Sequence, residues 1–319
     1  MSKVMNKRVY GLIGISSIMA NWNADFTGRP KSTSDGNVFG SDKALKYSIK
    51  KYLKDKGEKI LYIKTYKIDE KGKADEKDKL QPKELTERYN EIFAPAVLTK
   101  KTSSKEVLKN LFSVVDVMNF GATFAVEDQN ISITGAVQIG QGFNIYENTT
   151  TEVQDILSPF RNSKKDDADA SSLGKKIMSN EAHYIYPFSI NPNNYFEYIN
   201  IVEGFDGYTA QAYEFFKEGA LVGATALNTN SKSGCENEFA LFIEIKEGSE
   251  IYFPNLDRYV EFQKAEGKNI IDITKIGELI NKFRDDIEDI SIYYNPYTTL
   301  VKHEFKDAAI MNIFTKEKI

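Results

Sequence analysis

Residues 238–245 read EFALFIEI, with Phe239, Leu241, Ile243 and Ile245 at alternate positions. Successive side chains of a strand point to opposite sides. An apolar set of period two therefore demands a sheet covered on that face. A second alternating run, Gln129 to Ile139, sets Ile131, Ile133, Val137 and Ile139 on one face and Ser132, Thr134, Ala136 and Gln138 on the other. Strands are also expected over 8–18, 60–66, 113–118 and, last in the chain, 290–294. Helices are expected over 42–54, 84–94, 104–112, 208–220 and 272–284, the first capped by Ser41. These elements interleave without the regular alternation of a parallel doubly wound fold. The expectation is α+β: a ferredoxin-like (RRM-like) antiparallel sheet with large insertions, one domain over 1–319. Two stretches interrupt it. Residues 67–83 are densely charged, and 146–181 lose all core periodicity and read as a projecting insertion.

Several chemistries are disfavoured. Two histidines, His183 and His303, and one cysteine, Cys235, are too few for a Cys/His zinc site, so no metal, cofactor or catalytic residue is expected. His183 reads as a packed or backbone-bonded core residue. A single cysteine excludes a disulfide framework and points to a reducing, cytoplasmic compartment. No apolar run is long enough to span a membrane. Lys3, Lys7 and Arg8 before Val9–Ile15 imitate a secretory signal, but Ser16 and Ser17 break the run, which reads better as a buried first strand. Gly140-Gln141-Gly142 follows a strand, yet Gln141 stands where a P-loop needs lysine, and no helix opens there as a dinucleotide fingerprint requires. Gly140 and Gly142 instead let the chain turn out of the sheet and let a phosphate approach main-chain amides. Asp25, in NWNAD, reads as a turn former, the alternative being metal-assisted RNA cleavage.

The positive charge is local. Net charge is −4 and the pI about 5.5, whereas nucleic-acid binders are usually basic overall. Lys43, Lys46, Lys50 and Lys54 nevertheless share one stripe of the 42–54 helix. Arg161, Lys164, Lys165, Lys175 and Lys176 decorate the projecting insertion, and Lys232 sits in a polar turn before the 238–245 strand. On a ferredoxin-like sheet, this pattern points to single-stranded nucleic acid held by its backbone. The polar sheet face lacks the aromatic pair of a standard RNA-recognition motif.

Five segments, in order, resemble one family: the first strand running into NWNADFTGRP, then FGSDKALKYSIKKYL, DVMNFGATF, ITGAVQIGQGFN and SSLGKKIMSNEAHYIYPF. NTNSKSGCENEFALFIEI is a looser sixth. The sequence is similar to the backbone subunit of type I CRISPR surveillance (Cascade) complexes, the Cas-seven family, and most to its I-B branch. The resemblance implies a hand-shaped, non-catalytic RNA-binding protein. A ferredoxin-like palm would bind guide RNA (crRNA), a finger-type insertion would cover 67–112, and a thumb-type insertion would cover 143–181. Copies would polymerise along the guide beside other Cascade subunits and present it for pairing with target DNA. Related type III backbone proteins cut RNA with a loop aspartate, and Asp25 lies in the corresponding early loop. The candidate RNA-binding residues are Asn21, Asn23, Lys43, Lys46, Lys50, Gln138, Gln141, Gly142, Arg161, Lys164, Lys165, Lys175, Lys176 and Lys232. Where family members often carry arginine, this chain has Ala44 or Lys46, and Met118 or Asn119.

Overall fold

The computed structural model describes residues 3–69, 78–157 and 173–319. Its first strand, Val9–Ala20, lies in the middle of a nine-stranded mixed sheet. It pairs antiparallel with the long strand Leu173–Ile190 on one side and with Cys235–Ile245 on the other. Outward from the long strand lie Gly142–Asn144 and Phe39–Gly40, with Val137–Ile139 and Thr151–Leu157 also paired to it. Outward from Cys235–Ile245 lie Ile287–Tyr294 and then Ala309–Asn312, the last pair parallel.

Both faces of the first strand are buried, which is why Val9–Ile15 reads as a nearly continuous apolar run. Val9, Ile13 and Ile15 enter one core cluster. Tyr10 and Leu12 enter the other, with the Phe239, Leu241, Ile243 and Ile245 set. Helices Asp42–Asp55 and Ala210–Val222 cover the first face. Leu45, Ile49 and Leu53 point inward, and a Cβ on Gly219 would lie 2.6 Å from Ile49 Cγ2, so the helices meet backbone to side chain. The other face is closed by helix Thr274–Asn281 and the small sheet of Glu261–Ala265, Lys268–Asp272 and Thr299–Lys302. Among the described residues no helix is long and apolar enough to cross a membrane.

Four expectations need correction. Residues 60–65 are not a strand: the amides of Leu61 and Tyr62 donate to the buried Asp116 carboxylate at 2.9 and 2.7 Å rather than to a neighbouring strand. Residues 113–118 are not a strand either. Val115–Phe120 is helical, with Asn119 Nδ2 bonded to the carbonyls of Val115 and Ala212. The 129–139 run splits in two. Ile131–Thr134 pairs with Gly121–Phe124 and Val137–Ile139 with the long strand. Gly135 sits between them, where a Cβ would come within 2.4 Å of Gly121 N. Finally, Ile287–Tyr294 is not the last strand, since Thr299–Lys302 and Ala309–Asn312 follow.

Two buried polar features tie the layers together. Tyr186 is fully buried and its hydroxyl accepts from Trp22 Nε1 at 2.6 Å. Its ring fills the space that a Cβ on Gly142 would occupy, 2.4 Å away. His183, as expected, is a core residue. Its Nδ1 lies 2.6 Å from Glu238 and its Nε2 3.0 Å from Glu181, and its ring stacks on Phe262. Glu238 also accepts from Asn269 and Thr299. Burial pushes the His183 pKa down, but the two carboxylates outweigh it and leave the group raised above its ordinary 6.5.

A raised folded-state pKa contributes stability that is complete below the unfolded value and lost as pH climbs through the folded one. Denaturant midpoints measured upward from about pH 6 will therefore decline, and His183→Gln will remove that slope. It will also cost about 3 kcal/mol by stranding the buried Glu238 carboxylate. Gly142→Val drives two methyls into the Tyr186 ring and destabilises by at least about 1–3 kcal/mol in the same assay. An unchanged midpoint would refute that packing role.

Candidate nucleic-acid interface

The cationic stripe opens onto a groove. Lys43, Lys46 and Lys50 line a cavity of about 510 Å³ with Asp42, Tyr62, Asp116, Phe120–Thr123 and Ile133. The three lysines differ. The Lys43 ammonium is exposed and has no partner among the described residues. Lys46 pairs with Asp42 at 3.0 Å and lies 5.7 Å from the Phe120 ring centroid. Lys50 donates to the Tyr62 carbonyl at 2.8 Å. Burial lowers its pKa, with the Asp116 carboxylate opposing. Lys43 and Lys46 can thus turn to an incoming phosphate at small cost, whereas Lys50 also braces the wall.

The glycine turn reaches the head of this groove. Gln141 Nε2 lies 3.3 Å from Asp42 Oδ1, which sets it beside the first turn of the lysine helix. Gln138 is exposed on its strand, but its amide donates back to the Gly135 carbonyl. The Gly140 amide donates to the Pro187 carbonyl at 2.8 Å, so it is committed to the sheet and cannot receive phosphate. Neither Gly140 nor Gly142 has a positive φ. Gly142 is buried against Tyr186, so the need for glycine there is close packing with an aromatic ring.

A second group gathers where the first strand ends. Asn21 is buried. Its Nδ2 donates to the carbonyls of Gly28 and Ile177, and its own carbonyl accepts Lys232 Nζ at 2.6 Å. Burial lowers the Lys232 pKa. Asn21 Oδ1 has no partner among the described residues. Asn23 Oδ1 accepts from the amide of Ser41, the residue that caps the lysine helix. Asn21, Asn23 and Lys232 therefore organise the junction between the first strand, the helix start and the long strand.

Beyond that junction, Thr151–Leu157 and the start of the long strand form a two-stranded arm, with Lys175 opposite Asp155 and Lys176 opposite Gln154. Lys175 is exposed and Lys176 half-buried. Arg161, Lys164 and Lys165 lie outside the described residues. Sequence reasoning missed Tyr62, Phe120 and Thr123 as groove walls. Tyr62 lies far in the chain from Phe120 and Thr123, which belong to the DVMNFGATF segment, and no spacing links them. Met118 and Asn119 are buried in the fold.

Asp25 caps a turn. Its Oδ1 accepts from Thr27 N at 2.8 Å, Thr27 Oγ1 at 2.7 Å and Arg29 N at 3.0 Å. The Thr27 hydroxyl and these amides hold its carboxyl below the usual range. Among the described residues no group of three or more His, Cys, Asp or Glu side chains is placed to hold a metal ion.

The family model for CRISPR-associated protein Cas7 matches residues 7–285. No curated protein sequence matches the chain. Among solved structures, a chain of a "CRISPR RNA-guided surveillance complex, pre-nicking" is 13% identical with a TM-score of 0.53, over 94% of this chain and 96% of that one. A chain of a second "CRISPR RNA-guided surveillance complex" is 13% identical with a TM-score of 0.52, over 90% and 88%. At that identity the likeness is one of fold. With the family match running from the first strand through the lysine helix and the arm to the Thr274–Asn281 helix, this chain belongs to the CRISPR-associated Cas7 family.

Proposed function

We propose that this chain is the guide-RNA-binding backbone subunit of a type I CRISPR surveillance complex. The observation that carries this reading is family membership across residues 7–285. In this reading copies polymerise along crRNA with other Cascade subunits, and the guide pairs with target DNA. The palm is ferredoxin-like. Strand order 235–245, 9–20, 173–190, 142–144, all antiparallel, with the lysine helix and Ala210–Val222 on one face, supports it. The finger-type insertion, 67–112, holds the Tyr66–Asp69/Lys79–Pro82 ribbon and two helices. The thumb-type insertion, 143–181, holds the arm. The single cysteine fits a cytoplasmic protein.

The guide backbone passes the groove of Lys43, Lys46 and Gln141 and continues past the Asn21 junction toward Lys175 and Lys176. Lys50, bracing the wall, and Gln138, exposed on its strand, support this path. Arg161, Lys164 and Lys165, outside the described residues, remain candidates from the sequence alone. We read the subunit as non-catalytic, because the Asp25 carboxylate is engaged by its own turn.

Reversing charge in Lys43→Glu/Lys46→Glu will weaken guide binding roughly tenfold or more at low salt and lower the salt slope by about two. Filter binding across a salt series reads both, and unchanged affinity would sink the groove assignment. Wild-type and Asp25→Ala complexes, mixed with complementary RNA and Mg²⁺, will both leave the RNA intact. Regularly spaced cuts that vanish in Asp25→Ala would establish the ribonuclease alternative instead.

A further inference from the structure

Phe26 is fully exposed. It stands at the tip of an over-determined turn rather than in slack chain. Asp25 Oδ1 fixes Thr27 and Arg29, the Asp25 amide donates to the Arg29 carbonyl, and Ala24 bridges Pro30. Gly28 supplies the left-handed residue, φ +83. The turn is tethered to the Asn21 junction through Asn21 Nδ2 and the Gly28 carbonyl, 3.0 Å apart. A large aromatic held rigidly in water contributes nothing to folding, so its use lies in a contact made from outside.

The surroundings choose between kinds of partner. A protein-docking patch gathers several apolar side chains around its anchor. Phe26 is flanked instead by Asp25, Thr27, Gly28 and the exposed Arg29. A fully exposed aromatic on a polar turn that also carries an exposed arginine suits a base and its phosphate. The sheet edge does carry an aromatic pair, Phe39 and Phe143 with ring centroids 5.8 Å apart, but Phe39 is half-buried and Phe143 is 43% exposed, whereas Phe26 is exposed throughout.

We infer that Phe26 is a stacking platform for one nucleobase of the bound strands, with Arg29 at the adjoining phosphate and Asp25 as the positioning residue. This rests on the guide-binding reading above. The full chain is assembled on guide RNA carrying 2-aminopurine at successive positions, then on unlabelled guide paired with DNA carrying the same probe. The arm that responds tells whether the base belongs to the guide or to the strand opposite. In wild type, emission will be quenched at a repeating position. Phe26→Ala will abolish that quenching and weaken binding of the responding strand on the order of tenfold, and Phe26→Trp will restore both. Asp25→Ala will reduce the quenching with Phe26 still present, while Asp25→Asn, which keeps the acceptor, will retain it. Quenching unaffected by Phe26→Ala overturns the inference. Failure of copies to assemble with emission unchanged at every position also overturns it, by assigning Phe26 to a protein contact. A wild-type chain that binds no guide at low salt sinks the parent reading itself, and this one with it.

Discussion

Burial of Val9–Ser17 on both faces is the constraint on which the other layers depend. A strand between two antiparallel neighbours, with a core above and below, offers no tolerance for a bulky residue at close approaches. A Cβ on Gly11 would lie 2.0 Å from the Leu241 carbonyl and 2.5 Å from the Phe188 ring. The two flanking strands come from distant parts of the chain, so closing this arrangement fixes residues 173–190 and 235–245 at once. Both apolar clusters then have a floor, and the helices and the small sheet complete them from opposite sides.

The candidate interface inherits its geometry from the end of that strand. As the chain leaves the core at Ala20, Asn21 and Asn23 turn the polarity of their side chains to main-chain groups of the turn, the long strand and the helix cap. The lysine helix is thereby oriented by hydrogen bonds as well as by Leu45, Ile49 and Leu53. Charge that the whole molecule lacks is concentrated where these contacts converge. Acidic groups accompany it: Asp42 holds Lys46, and Asp116 lies behind Lys50. A groove lined this way presents cations without accumulating enough of them to repel one another.

What was legible in the sequence follows a physical division. The alternation in Phe239–Ile245, the lysine helix with its Ser41 cap and the helix expected over 208–220 rest on local periodicity and capping; the structure has the first two where the pattern put them and the third two residues further on, at Ala210–Val222. Residues 60–65 and 113–118 depart from the strand pattern through buried polar contacts, the Asp116 carboxylate on the amides of Leu61 and Tyr62 and the Asn119 amide on the carbonyls of Val115 and Ala212. The Asp116 bonds to Leu61 and Tyr62 span more than fifty residues and leave no periodic trace. Asn21 is similar, with partners 156 and 211 residues away. The lysines of the helix could be grouped from spacing alone, but not the difference between exposed Lys43 and bracing Lys50. Gly142 invited a phosphate-loop reading because a glycine that admits a ligand and one that admits a tyrosine ring look alike in one dimension.

The long strand has one more implication. Eighteen residues at about 3.3 Å each make a rod of about 60 Å. Its first part pairs with Thr151–Leu157 in the arm, and the rest with the first strand, the changeover falling at Ser179. No loop or helix break separates the two parts. The arm is thus a cantilever rather than a hinged flap, aimed by the twist of the central sheet. A load applied along it is borne by the backbone ladder of the core. Its direction is fixed when the domain folds, before any partner is met.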